Sequence, residues 1–354
     1  MHLSLAFTAL VASLSLVSGR SHSKRAGTCK SKARTTSVGG ASSTRSSSSS
    51  AASSTKVASV DSNNSKLSVK LGLQGAAVND IYFGVLPDDG SGGYGQGYIQ
   101  KYSDLVKAAG VSNLAAQGWY AQAQSGTPFD GSQLLHRKSE ILAGGGVFQP
   151  AIMPTGGWSG LTDNDDSQAK RICDFLKENF VDEGMEVWLR FAHEVNWYQY
   201  DGTYQGGVDD FKQGWNAVAK NCQPYGIKMW FSPNVANDNS YDEYYPDDAS
   251  TVDIIGIDYY LRDASNPDFV KVMKPFHDKY CNDRVHFAVG ETGLWDNTNL
   301  AEQLKWAQHI LSKDVKQAMP YLSQVSWFNY MKETDFRILG KDGDSLTRSW
   351  LNGS

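Results

Sequence analysis

The stretch from Val187 to Tyr198, Val-Trp-Leu-Arg-Phe-Ala-His-Glu-Val-Asn-Trp-Tyr, changes character midway. An apolar run gives way to Arg190, His193, Glu194 and Asn196, with Trp197 and Tyr198 behind them. Charged and hydrogen-bonding groups at the end of a buried strand are costly unless paired or put to use. About a hundred residues later Val285 to Glu291, Val-His-Phe-Ala-Val-Gly-Glu, repeats the pattern, again an apolar run with one carboxylate at its tip. Two carboxyl groups on separate strands suit a reaction in which one protonates a leaving oxygen while the other attacks carbon. Glycoside hydrolysis with retained configuration asks for such a pair about 5–5.5 Å apart. Two glutamates on one helix face could not straddle a sugar.

The elements that would position this pair alternate in type. Strands are expected at Ile81 to Leu86, Val111 to Gln117, Val147 to Met153, Val187 onward, Ile227 to Ser232, Val252 to Asp258, Val285 to Gly290 and Val325 to Phe328. Between them run helical patterns at Ile99 to Ala109, near Leu134 to Leu142, and at Asp165 to Phe180, Val208 to Asn221, Asp268 to Lys279 and Leu300 to Ser312. The segment Ala236 to Ser250 is aromatic and acidic without helical periodicity, so any helix there is short. Parallel neighbours need crossover connections, and right-handed ones close the sheet, so the expected fold class is α/β, a (β/α)₈ barrel. Its active site would lie at the carboxyl ends of the strands.

Composition frames the rest. Residues 1–19 carry a central apolar run ending in small residues and read as a secretory signal peptide, with Lys24-Arg25 as a dibasic processing site. Residues 20–65 form a Ser/Thr-rich propeptide or linker with almost nothing to bury, expected to be disordered. Residues 66–354 then form one catalytic domain. A net charge of -5 without long Lys/Arg runs argues against nucleic acid or an anionic membrane as partner. No apolar segment after the signal is long enough to span a bilayer. A secreted, extracellular monomer is expected, with sequons at Asn63 and Asn352. Ten Trp and 17 Tyr can build a large core or stack on the apolar faces of sugar rings. Cys29, Cys173, Cys222 and Cys281 lack the spacings of a zinc site. Cys173 with Cys222 is the preferred disulfide, since both fall on successive helices of the outer ring; free buried thiols are the alternative.

Three stretches together, Arg190-x-x-His193-Glu194-x-Asn196, Ile257-Asp258-Tyr259-Tyr260 and Gly290-Glu291, resemble glycoside hydrolase family 26. Its members are retaining clan A barrel enzymes, mostly endo-β-1,4-mannanases, some acting on mixed β-1,3/1,4-glucan or β-1,3-xylan. The resemblance implies Glu194 as acid/base on strand four and Glu291 as nucleophile on strand seven. It also implies that Tyr260 hydrogen-bonds the nucleophile, that His193 helps bind the sugar, and that Trp327 stacks beneath it. Members commonly carry a Gly and one more residue before the aromatic pair, whereas here Trp197 follows Asn196 directly and shortens the loop.

Beside the two glutamates, Arg190, Asn196, Trp197 and Asp258 are candidate substrate contacts, and so are Trp119, Trp158, Trp295 and Trp327 at or near strand ends. Asp88 and Asp89 after the first strand either bind substrate or cap a turn. Nothing in the sequence calls for a cofactor or metal, because Trp197 occupies the position of the second His in a helical His-Glu-x-x-His pattern. The expected partner is a polysaccharide or oligosaccharide. The rival readings are a β-1,3/1,4-glucanase or β-1,3-xylanase, a glycan-binding barrel without catalysis, and a secreted metal-dependent hydrolase.

Overall fold

The computed structural model describes residues 71–90, 99–236, 241–295 and 299–353. The expected signal peptide and linker, Cys29 and Asn63 lie outside the described residues. Eight parallel strand positions close into a barrel: β1 (Ile81–Pro87), β2 (Ala116–Gln122), β3 (Val147–Met153), β4 (Trp188–Phe191), β5 (Lys228–Phe231), β6 (Ile254–Ile255), β7 (His286–Leu294) and β8 (Leu322–Asn329). Each pairs with the next, and β8 returns to β1 over a register from Gln324↔Tyr82 to Asn329↔Pro87. Helices cross between the strands. The chain is therefore a (β/α)₈ barrel.

Two departures from the expected elements matter for the site. The second strand begins at Ala116 rather than Val111, because the Gly110 helix cap and the turn after it consume the first apolar residues. Strand six is broken: β6 is short, and its continuation Tyr259–Leu261 pairs β7 further up. Gly256 sits at the break, where a Cβ would lie 1.6 Å from the Ala288 carbonyl oxygen. Only glycine allows β6 to approach β7 so closely. A helix at Ser345–Leu351, absent from the sequence expectations, docks on the helix Tyr102–Ala109 through Arg348 Nε donating to the Ala108 carbonyl.

The barrel interior is layered. Its lower layer is apolar, with Leu73, Trp188, Trp230, Ile254 and Ala288 packed together. Above lies a closed polar ring in which Gln149 donates to Gln324, Gln324 to Ser326, and Ser326 to Gln149, all buried. Buried polar groups persist when each is paired, and this ring satisfies itself. The disulfide joins Cys173 and Cys222, as expected from the two neighbouring helices. Asn352 is half-buried, and its amide donates to the Ala109 and Arg348 carbonyls. Among the described residues no helix is long and apolar enough to cross a membrane.

Candidate active site

At the top of β4 the backbone leaves the strand through two left-handed residues, Ala192 (φ 50°) and Glu194 (φ 50°), before the helix Val195–Tyr200 starts. Such a conformation costs a residue with a Cβ roughly 1–2 kcal/mol and tends to persist at functional sites. Both residues are anchored to neighbouring strands, Ala192 N–H to the Ile152 carbonyl at 2.9 Å and Glu194 N–H to the Ser232 carbonyl at 2.7 Å. The kink turns the Glu194 side chain into the barrel mouth.

Glu291 arrives by a different device. Val325 pairs Val289, but Trp327 pairs Thr292, so β7 holds one extra residue across this interval. A bulge of this kind re-aims side chains. It lets Gly290 and Glu291, consecutive in sequence, both face the centre of the site. Arg190, fully buried, lies against Gly290 and donates from Nη1 to Glu291 at 3.0 Å. Its other nitrogens reach Asp258 and Ser232. Asp258 in turn accepts from Ser232 Oγ at 3.1 Å and from the Glu291 backbone N–H at 3.0 Å. Tyr260 donates its hydroxyl to the second Glu291 oxygen at 2.9 Å, and His193 Nε2 lies 3.6 Å from the first.

These surroundings push the two glutamates apart in acidity. Burial raises the Glu194 carboxyl well above its ordinary range, and the charges of Glu291 and Asp258 add to the rise; Asn234, donating from its amide, opposes it. Burial would also raise Glu291, yet Arg190, His193 and the Tyr120 and Tyr260 hydroxyls outweigh it and hold that group down to about 2. Asp258 is pushed up to about 8 by burial, with Arg190 pulling it down and Glu291 adding to the rise. Burial, reinforced by Arg190, holds His193 down to about 3, so its imidazole is neutral. One oxygen from each of Glu194, Asp258 and Glu291 lies within 4.8 Å of the others. Three carboxylates so close could hold a divalent cation. In this chain the guanidinium of Arg190 already supplies the positive charge to two of them.

The structure gathers some of the expected contacts and disperses others. Glu194, Glu291, His193, Asp258 and Tyr260 meet at the mouth. Arg190 also lies there, but beneath Glu291 with no exposed surface, so it positions the carboxylate and cannot touch a ligand. Asn196 uses its amide on Asn234, donating to that backbone carbonyl and accepting from that N–H, both at 2.9 Å. It thereby sets the loop that carries the Glu194 partner. Trp197 is half-exposed beside Tyr200, ring centroids 5.7 Å apart. Trp295 is half-buried against Phe336 and beneath Arg262. Asp88 ties loops together, accepting from the Gly90 and Met331 N–H groups.

Three of the tryptophans are buried. Trp327 has no exposed surface and donates Nε1 to the Phe336 carbonyl at 2.7 Å. Trp158 is packed among Phe191, Tyr204 and Phe211. Trp119 is buried under Arg137, which stands 4.7 Å above its ring. In β2 and β8 it is the next residue, Tyr120 or Phe328, that turns to the mouth, because successive strand residues face opposite ways. There Tyr120, Tyr260 and Trp295 pack with Leu86, Phe328, Tyr330 and Phe336 into an aromatic wall. Tyr120, Phe328, Tyr330, Ser232 and Asn234 carried no signal stronger than their place near a strand end.

The fold and its mouth define a (β/α)₈ protein with a close pair of buried, electrostatically inequivalent glutamates. No family model matches the chain, and no curated protein sequence matches it. Solved structures with the same fold include a mannanase from Bacillus subtilis, 17% identical over 73% of this chain and 82% of that one, TM-score 0.51. They also include a modular endo-β-1,4-mannanase from Cellulomonas fimi, of glycoside hydrolase family 26. That chain is 16% identical over 77% of this chain and 70% of its own, TM-score 0.53. A glucosidase from Croceicoccus marinus is 10% identical over 76% and 63%, also at 0.53. At these identities the likeness is one of fold.

Proposed function

We propose that this chain is a retaining glycoside hydrolase of the family 26 type, with Glu194 as acid/base and Glu291 as nucleophile, and that it cleaves β-1,4-mannosidic bonds within β-mannan polysaccharide. The observation that carries the reading is the Glu194–Glu291 pair. One oxygen of each lies within 4.8 Å of the other, a close approach that favours the short gap of a retaining pair over the roughly 6.5–9.5 Å that leaves room for an attacking water. A buried acid with a raised pKa beside an ionised carboxylate is the division of labour the reaction requires. Glu194 protonates the leaving oxygen while Glu291, held by Arg190 and Tyr260, attacks the anomeric carbon. The covalent bond removes the Glu291 charge, which lowers the Glu194 pKa and lets it act as base for water in the second step. The mannan preference rests on the resemblance and on the fold shared with mannanases.

The test follows a fresh digest of β-mannan by proton NMR, with galactomannan, mixed-linkage glucan and xylan in parallel. Two displacements give the β anomer first, before mutarotation produces the α form. A first-formed α anomer would falsify the retaining assignment, and cleavage confined to glucan or xylan would remove mannan. Azide should speed turnover of an activated aryl glycoside by Glu194→Ala and leave Glu291→Ala inactive; the opposite result reverses the two roles.

A further inference from the structure

Two cations stand against the aromatic wall of the mouth. Lys332 Nζ lies 5.1 Å from the ring centre of Phe328 and 5.5 Å from that of Tyr330. The Arg262 guanidinium lies 5.2 Å from the ring centre of Trp295. Phe328 and Tyr330 are themselves buried, so on that side the half-buried Lys332 side chain is what the wall presents. Both supports are fixed. Phe328 and Tyr330 stack at 4.1 Å, and the turn carrying Lys332 closes on itself, with Lys332 N–H donating to the Thr334 carbonyl at 3.1 Å and Phe336 N–H to the Tyr330 carbonyl at 2.9 Å. Thr334 donates its hydroxyl to the Trp295 carbonyl, which ties this turn to the ring beside Arg262. Resting on aromatic rings favours each cation but leaves its charge without a counter-ion. No carboxylate oxygen among the described residues comes within 4.0 Å of either one. Nearby charges are paired: Arg337 and Lys341, on the same loop as Lys332, share Asp335. Arg262 also lines a cavity of about 500 Å³ with Asp263, Ser265, Leu294, Glu302 and Lys305. There Lys305 pairs with Glu302 at 2.6 Å, and Asp263 accepts from the Ser265 N–H and hydroxyl. The Lys332 charge reaches the reacting groups, adding to burial and Arg190 in keeping His193 neutral.

Resting on the glycosidase reading above, we propose that the polysaccharide this chain cuts is acidic: Lys332 and Arg262 each take a uronic-acid carboxylate, on sugars other than the one under attack. A neutral chain offers neither cation an anion. A carboxylated one supplies what both lack, an acceptor for a charge-assisted hydrogen bond. Each cation stands by a different ring, which suits single charges spaced along a chain; a phosphate dianion draws a cluster of cations instead. The cavity beside Arg262 gives a carboxylated side group room. Local cations are also what an acidic ligand requires here. Glu291 is ionised at the same mouth, and the whole chain carries a net charge of -5, so the surrounding field opposes an anionic glycan. Charges on the rim of a site act on encounter and binding more than on the chemical step, and salt screens them. Lys332 and Arg262 therefore act on KM and little on kcat.

The experiment compares three forms of one polymer: β-1,4-mannan, the same mannan sparsely oxidised at C6 to carboxylates, and the methyl ester of that product. The ester keeps the added bulk and removes the charge. At low ionic strength the wild-type chain should cut the carboxylate form with a kcat/KM about tenfold above the ester, through KM, and the gap should close to under about twofold in about 0.5 M salt. Lys332→Gln and Arg262→Gln should each lose part of that ratio and the double variant all of it. A ratio between two substrates is unaffected by any damage that slows both equally. Mass spectrometry of the products gives a second reading: carboxylated sugars should gather at fixed positions and be absent from the new reducing end, where the attacked sugar sits. A wild-type ratio near one, a ratio that salt leaves unchanged, a ratio kept by the double variant, or carboxylates scattered at random each overturns the proposal. Cleavage of neutral mannan in the same assay then leaves the glycosidase reading intact, whereas cleavage of none of the three polymers overturns both.

Discussion

Arg190 occupies the space that a side chain at position 290 would need. A Cβ built on Gly290 would lie 2.4 Å from Arg190 Nε and 2.6 Å from Nη2. Gly290 is thus a clearance for the guanidinium, which bridges Glu291, Asp258 and Ser232 at once.

Gly290→Ala is therefore expected to displace the guanidinium and disable the site without reaching any ligand. Displacements of about 1 Å at a reacting group cost on the order of 100-fold in rate. The pH profile separates this from simple damage. Arg190 keeps Glu291 ionised down to about 2, and with its pull weakened, burial lifts that pKa. Activity needs the ionised form, so the acidic limb of kcat/KM should move to higher pH in the variant. An unmoved acidic limb would show that Arg190 does not set the charge of Glu291.

Glu194 offers a prediction in the opposite direction. Its folded pKa is raised above the ordinary 4.5, so the folded protein holds this proton over a range where the unfolded chain has lost it. That contribution to stability is complete below the unfolded pKa and is lost as pH rises through the folded one. Glu194→Gln removes the charge while keeping an oxygen to accept from Asn234, so it escapes the penalty. Its Tm should match wild type near pH 4 and exceed it near pH 7. The scale is about 2–4 °C for each kcal/mol of relief in a domain of this size. Equal Tm values at both pH values would mean that Glu194 carries no raised pKa.

The barrel and its two glutamates were legible in the sequence because both signals are local. Val147–Met153 is an unbroken apolar run, and Arg190 to Asn196 puts costly groups at the end of another. The facing of single residues was less legible. With the second strand expected to end at Gln117, Trp119 reads as a loop residue. The observed strand continues to Gln122, leaving Trp119 on the outer face and Tyr120 on the inner one. The bulge in β7 is equally invisible, since no residue type announces the extra count between Val289 and Thr292. Side-chain direction depends on register, and register is set by pairing between strands distant in sequence.

The disulfide gives a stability prediction separate from the site. It links residues 49 apart, and closing a loop of that size removes unfolded-state entropy worth about 4 kcal/mol in the chain-entropy picture; measured effects fall mostly at 2–4 kcal/mol. The double variant Cys173→Ser, Cys222→Ser should lose stability within that span in a urea titration and keep its kcat at a temperature where it stays folded. A fall in kcat with unchanged stability would tie the outer helices to the chemistry.

The register argument is tested by two adjacent residues of β8. Trp327 faces the helices, is fully buried and donates to the Phe336 carbonyl. Phe328 faces the mouth, where it stacks on Tyr330 at 4.1 Å and meets Tyr260 edge-on at 5.6 Å. Tyr260 is the residue that donates to Glu291. Trp327→Phe removes one buried hydrogen bond and leaves its acceptor unpaired, a loss of about 1–3 kcal/mol, with kcat and KM close to wild type. Phe328→Leu preserves an apolar side chain but takes away the ring that holds Tyr260 in place. Its Tm should fall less than that of Trp327→Phe, while kcat/KM falls about tenfold as the Tyr260 hydrogen bond loosens. Stability and activity should therefore separate across one peptide bond. If Trp327→Phe instead weakens polysaccharide binding and leaves Tm unchanged, the tryptophan faces the ligand after all, and the pairing of β8 with β1 and β7 is shifted by one residue.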